Sequence, residues 1–258
     1  MVKIQDNNFA LVLGGGAARG IVHVGVIKRL DELGLRPKVI TGTSMGAIIG
    51  SLWAAGKSIA EIEKFVCSLR IRKFLDIDLL GRGGVIKGEK FEKYLHSYLG
   101  DITFSDLAIP LRINATDFVT GEEVVFRQGS VVKAVRASMN IPGLFLPYRY
   151  QGRILVDGGV VNNLPISLAR GFHFRQWIVV NPFFTTDKLD SPALGSLNVW
   201  AVVERSLRLY ALSRYQREVE KLKNKVYLEY KNSQIRSYDF VKARRIIADG
   251  YELARTLI

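Results

Sequence analysis

The sequence has 258 residues, 48% of them hydrophobic, and its 37 Lys/Arg against 24 Asp/Glu give a net charge of +13. That length and apolar content suffice for the core of one α/β domain, and no apolar run nears the ~18 residues of a membrane-spanning helix. The basic surplus favours anionic partners, but no zinc-ligand spacing, helix-turn-helix or RNA-binding aromatic signature accompanies it, so no nucleic-acid partner is expected.

The opening MVKIQDNNFALVLGGG carries too short an apolar stretch, and no small-residue cleavage site, for a signal peptide. FALVLGGG reads as a buried strand running into a glycine loop. IVHVGVIKRLDELGL follows as a helix with Val22, Val26, Ile27 and Leu30 on one face and Gly34 at its C-terminal cap. Pro37 separates it from a second strand, KVITG, which enters a tight turn and the helix that ends near residue 56. A helical crossover between two short apolar strands predicts parallel pairing, with ligands at the carboxyl ends of the strands.

Residues 58–99 read as mostly helical around an irregular RIRKFLDIDLLGRGGVIKG, in which basic and apolar residues alternate over 71–84 as in a lid or interfacial segment. Cys67, the only cysteine, reads as a packed, inert thiol. With no internal disulfide available, the expectation is a cytoplasmic protein with peripheral contact at the inner membrane face. IPLRINATDF and EEVVFRQG read as strands joined at VTGE, VVKAVRASMNIPGLF as a helix ending near Pro142, and RILVDGG and QWIVVNPF as two further strands. Residues 197–225 and 239–257 read as charged amphipathic helices flanking VYLEYK. Residues 201–258 hold 13 Lys/Arg against 7 Asp/Glu. A single domain is expected, with a motif-bearing core over 9–185 and a basic helical part over 197–258.

Three motifs carry chemistry. Gly42-x-Ser44-x-Gly46, between a strand and a helix, is the pattern of a nucleophile elbow, in which small neighbours allow a sharp turn that exposes Ser44 Oγ. The loop from Gly14 to Gly20 places backbone N–H groups at a helix start, suited to a phosphate or an oxyanion. A dinucleotide reading fails on spacing. Counted from Gly14, the sixth position is Arg19, counted from Gly15 the third is Ala17, and no acidic residue ends the second strand. In the third motif Asp157 ends a strand before Gly158 and Gly159, either as an ordinary Asp-Gly turn or as the base that a serine hydroxyl needs. His23 reads as a residue fixing the glycine loop and His96 as lying on a helix face. His173 follows Asp157 in the Ser…Asp…His order of a triad, but the elbow would then come unusually early in the chain. Asp117 reads as a turn residue, and Asp76 and Asp78 as solvated. No metal or organic cofactor is expected.

The combination of LVLGGGAARGIVHVGVIKRL, ITGTSMGAI and ASMNIPGLFLPYRYQGRILVDGGVVNNLP resembles the patatin-like phospholipases, above all the short bacterial and archaeal members, up to about residue 185. The resemblance implies a three-layer α/β/α fold with a mostly parallel central sheet. It also implies a Ser44–Asp157 dyad that hydrolyses acyl esters of lipids, and an oxyanion hole at Gly15 and Gly16 with Arg19 in the family's basic position. One departure is Ala17, which stands where the family has its third glycine and must adopt a φ that a Cβ tolerates. A lipid acyl ester is then the substrate, and an anionic membrane surface a possible peripheral partner. A non-catalytic lipid-binding protein on the same fold and a soluble short-chain esterase or thioesterase remain as alternatives.

Overall fold

The computed structural model describes residues 4, 6–69, 76, 86–182, 202, 206, 209 and 215–257. Asp78 and all of the 71–84 segment except Asp76 lie outside them, as does much of 197–214.

The fold is built on a sheet of eight strands: β1 (Phe9–Leu13), β2 (Val39–Gly42), β3 (Leu111–Asp117), β4 (Glu123–Phe126), β5 (Tyr148–Tyr150), β6 (Arg153–Asp157), β7 (Gln176–Asn181) and β8 (Lys225–Glu229). Strands β3, β2, β1, β7 and β8 run parallel in that spatial order, whereas β4, β5 and β6 pair antiparallel. The sheet is therefore mixed, and the mostly parallel expectation holds for the five strands from β3 to the β8 edge. β5 had no signal in the sequence, since YRY is too short to show alternation.

The helices are α1 (Val22–Glu32), α2 (Met45–Ala54), α3 (Ile59–Ser68), α4 (Glu89–Leu99), α5 (Val131–Ser138), α6 (Gly159–Asn162) and α7 (Ala243–Leu253). Side chains along β1 alternate. Phe9, Leu11 and Leu13 join the large core shared with α1 to α5 and α7, while Ala10 and Val12 face a smaller layer that includes Leu164, Ala169, Tyr215 and Val219. Helices on both faces of the sheet make three layers. Val22, Val26, Ile27 and Leu30 are all fully buried, and α1 ends before Gly34, whose φ is +68°. Ser58 and Glu61 form a capping box at the start of α3.

The C-terminal part is less purely helical than expected. β8 extends the sheet beside β7, and α7 packs on α1 so closely that a Cβ at Gly250 would lie 2.2 Å from the Val22 carbonyl oxygen. Among the described residues no helix is long and apolar enough to cross a membrane.

Candidate active site

The registers along β3 decide where the two chemical motifs meet. Gly42, the end of β2, pairs with Ile113, while Asp157, the end of β6, pairs with Ala115. β4 occupies the other edge of β3 across both positions, so β2 and the antiparallel β6 follow one another along one edge. Their carboxyl ends converge about two residues apart, ~6.6 Å along β3. Ser44 leaves one end and Asp157 closes the other.

Ser44 has φ +53° and ψ −118°, a left-handed conformation that costs about 1–3 kcal/mol and is held by its surroundings. Its N–H donates to Ser138 Oγ at 2.9 Å. The turn needs its glycines for space. A Cβ at Gly46 would sit 2.1 Å from the Leu13 carbonyl oxygen, and one at Gly42 would sit 2.7 Å from that of Gly46. α2 then runs away from Ser44, directing the positive end of its dipole at the turn.

Asp157 is buried, and its Oδ1 accepts the Gly159 N–H at 2.7 Å. Burial raises its pKa to about 6, against the nearby Ser44 hydroxyl and the Gly159 N–H, which pull it down. Its backbone is fixed on both sides. Its N–H donates to the Asn140 carbonyl, and Thr116 Oγ1 donates to its own carbonyl oxygen.

The glycine loop departs from expectation in two places. The Gly14 and Gly15 N–H groups are already committed to the carbonyls of Val180 (3.1 Å) and Asn163 (3.0 Å). Gly15 is therefore not a free donor, which corrects its placement in the oxyanion hole. Gly16 and Ala17, the next two amides, have no hydrogen-bond partner among the described residues, and Ala17 borders the same cavity as Ser44. Ala17 takes φ +46°, the left-handed conformation that a glycine would adopt without strain.

Arg19 is the second correction. Its side chain is buried, and it donates to the carbonyls of Pro182 (3.0 Å), Ile235 (3.3 Å) and Tyr230 (3.1 Å). It ties the loop to the ends of β7 and β8 and leaves no fork aimed at Ser44.

The histidines do not join Ser44 and Asp157. His23 Nε2 donates to the Gly14 carbonyl at 2.7 Å, and burial lowers its pKa to about 4, so the neutral ring braces the loop. His96 is exposed and pairs with Asp101. His173 is exposed just before β7, at the amino end of a six-residue strand whose carboxyl end borders the site, ~20 Å away. Asp117 accepts the N–H groups of Val119 and Thr120 and pairs with Arg153 at 3.2 Å, which together hold its carboxyl below the usual range as a turn residue. Asp76 is half-buried and accepts the N–H groups of Gly88 and Lys90 at the start of α4. Cys67 is half-buried against the main core.

Sequence reasoning missed a polar network beside Ser44 and Asp157. Thr43 Oγ1 donates to Asn114 Oδ1 at 2.8 Å. Asn114 Nδ2 donates to the Asn162 carbonyl and to Glu123, which also accepts from Asn162 Nδ2. Asn163 Nδ2 reaches the Gly15 carbonyl at 3.2 Å. The adjacent asparagines of NNLP were the available signal, since a buried strand-to-helix turn rarely holds two without partners for both.

Ser44 opens on a cavity of about 290 Å³ whose exposed lining is almost wholly apolar, with Ile48, Leu69, Ile86 and Phe91 at its buried side and Leu144 and Tyr238 toward solvent. Residues 11–170 match the model of the Patatin family, described as patatin-like phospholipase. The chain belongs to that family. A patatin-like chain this short spans only part of its relatives. It is 36% identical over 174 residues to the uncharacterized NTE family protein Rv1063c of Mycobacterium tuberculosis, covering 67% of this chain and 48% of that one. It is 31% identical over 284 residues to human patatin-like phospholipase domain-containing protein 6, covering 98% of this chain and 20% of that one. Two solved structures share the patatin fold. VipD from Legionella pneumophila has a TM-score of 0.63 at 17% identity, over 99% of this chain and 67% of that one. The type III effector protein ExoU has 0.52 at 14%, over 99% and 53%.

Proposed function

We propose that this patatin-like chain is a serine acyl hydrolase that cleaves carboxylic esters of lipids, of phospholipase A or lysophospholipase type. One observation carries the reading: a strained serine beside a desolvated carboxylate at an apolar cavity, with no histidine next to them. Membership of the patatin-like phospholipase family supports the same chemistry.

Asp157 accepts the Ser44 proton as Oγ attacks the ester carbonyl carbon. The carbonyl oxygen becomes an oxyanion, received by the Gly16 and Ala17 amides and favoured by the N-terminus of α2. Asp157 then gives its proton to the leaving alkoxide, freeing the alcohol and leaving an acyl-Ser44. Water attacks that ester, losing a proton to Asp157, and collapse of the second tetrahedral intermediate returns the proton to Ser44 Oγ. A pKa of about 6 makes Asp157 a better base than an exposed carboxylate while keeping it mostly ionised at neutral pH. A cavity of about 290 Å³, near the lower limit of small-molecule sites, suits one acyl chain.

The test is covalent labelling by a fluorescent fluorophosphonate in wild type, Ser44→Ala and Asp157→Asn proteins, each checked for folding by circular dichroism. Labelling of the wild type that is lost in Ser44→Ala and strongly reduced in Asp157→Asn is expected. An unlabelled wild type in the presence of lipid vesicles would favour a lipid-binding protein instead, and a labelled Ser44→Ala would point to another serine.

A further inference from the structure

The exposed apolar side chains are not scattered. Seven large ones are exposed among the described residues, and four of them lie on segments that leave the carboxyl edge of the sheet, where Ser44 and Asp157 sit. Phe118 (63% exposed) and Val119 (73%) form the tip of the β3–β4 hairpin. Tyr238 (50%) and Val241 (72%) belong to the loop that leaves β8 and leads into α7. The second pair is carried back over the glycine loop, where the Ser237 carbonyl accepts the Ala18 N–H at 2.9 Å. The second pair adjoins the cavity directly, because Tyr238 is half in its lining and half in solvent.

The charges on the same edge are mainly basic. The β5–β6 hairpin extends beyond Asp117, since Leu155 already pairs with that last residue of β3, and it carries exposed Arg149 and Arg153. Arg236 donates to the Tyr238 hydroxyl at 2.8 Å, Lys242 lies beside Val241, and Arg245 is exposed on the first turn of α7. Asp117 and Glu122 pair with Arg153, and Asp239 with Lys242, so these charges largely offset one another and Arg149, Arg236 and Arg245 carry the basic surplus.

We infer that this edge is a docking face for an anionic lipid surface, with Phe118, Val119, Tyr238 and Val241 entering the interface and the basic residues meeting the headgroups. The face is where an amphipathic substrate must arrive, for an acyl chain lifted from the interface passes Tyr238 into the cavity without crossing bulk water. Apolar tips among cations fit a bilayer surface, where the insertion and headgroup terms act together. The inference rests on the acyl-hydrolase reading for what the face delivers, but not for the docking itself.

The experiment measures sedimentation with vesicles of equal parts phosphatidylcholine and phosphatidylglycerol, and of phosphatidylcholine alone, using the full chain carrying Ser44→Ala so that no lipid is consumed. Preferential binding to the anionic vesicles, weakened by salt, is expected. Adding Phe118→Ser, Val119→Ser and Val241→Ser should lower that binding at least about tenfold. Arg149→Gln with Arg245→Gln should lower it about fivefold per charge. Near-ultraviolet circular dichroism checks that these surface variants keep the native fold.

In the chain with Ser44 restored, the triple serine variant should hydrolyse a dissolved short-chain p-nitrophenyl ester like wild type and lose hydrolysis of vesicle phospholipid in proportion to its binding. Absence of vesicle binding by the parent, or unchanged binding by the triple variant, overturns the docking face. Self-association through these residues in place of lipid binding would overturn it as well. Vesicle binding lost as expected in the triple variant, from a parent chain that cleaves no ester, would uphold the face and refute the hydrolase reading alone.

Discussion

Replacing Asp157 by Asn removes an ionisable group from a fully buried position, while keeping its shape and an oxygen to accept the Gly159 N–H. The carboxyl titrates near 3.8 in an unfolded chain and at about 6 in the fold. Between those values the native state holds a proton that the unfolded state has lost. The contribution of this group to stability is therefore whole below 3.8 and is lost as pH rises through 6. A difference of about two units is worth about 3 kcal/mol at 1.36 kcal/mol per unit. Unfolding entropy of ~2.1 cal/mol/K per residue makes each kcal/mol about 2 °C for a chain of this length.

Asp157→Asn, which never titrates, should therefore melt about 6 °C higher relative to wild type near pH 8 than it does near pH 4. Calorimetric scans of both proteins across that range measure the difference. A difference in Tm that stays flat with pH would mean that Asp157 is not desolvated, and the argument for its basicity would go with it. The same substitution should lower kcat/KM by about 10²–10⁴, so the more stable protein is the less active one. In wild type kcat/KM should rise with pH through a limb near the pKa of Asp157, about 6, and His173→Gln should leave that limb in place.

Gly15→Ala places a Cβ 2.4 Å from Asn163 Oδ1, and displacement of the loop should cut kcat about 10²-fold with KM little changed, in steady-state kinetics. Phe91→Ala opens the buried side of the cavity. It should shift relative kcat/KM toward longer acyl chains by about tenfold across a p-nitrophenyl ester series, at about 3–5 kcal/mol of stability in urea unfolding. Arg19→Met should lower stability by about 3 kcal/mol, because three buried carbonyls lose their donor, and should weaken the site only through the loop they hold.

The elbow was legible because its requirements are local. Gly42, Ser44 and Gly46 lie within one turn, and the change from strand to helical spacing marks where that turn must be. The partnership of Ser44 with Asp157 is not local. It depends on β2 and β6 sharing one edge of β3, a register that no spacing along the chain encodes, and the resemblance to a family was needed to pair them. That the Gly15 N–H is engaged was hidden for a related reason. A glycine run shows where backbone can approach a ligand, but the Gly15 N–H is consumed by Asn163, whose position follows from α6. Arg19 was placed at the site by the family resemblance, whereas Pro182, Tyr230 and Ile235 draw it inward from distant parts of the chain.

Three features of the site work against folding: φ +53° at Ser44, φ +46° at Ala17, and a carboxylate buried at Asp157. None would persist in an isolated hairpin or helix, since each costs on the order of 1–3 kcal/mol. They persist because β1 and β2 beneath them are buried along their whole length and because hydrogen bonds remove the alternatives. Ser138 holds the Ser44 amide, the Asn140 carbonyl and Thr116 hold Asp157, and Asn163 holds Gly15. Such hydrogen bonds add only about 1 kcal/mol each in net stability. Their effect is on geometry, for each fixes the backbone of a residue whose preferred conformation would close the site. Ser138, Asn140, Thr116 and Asn163 therefore set the backbone geometry of the site as firmly as Ser44 and Asp157 themselves.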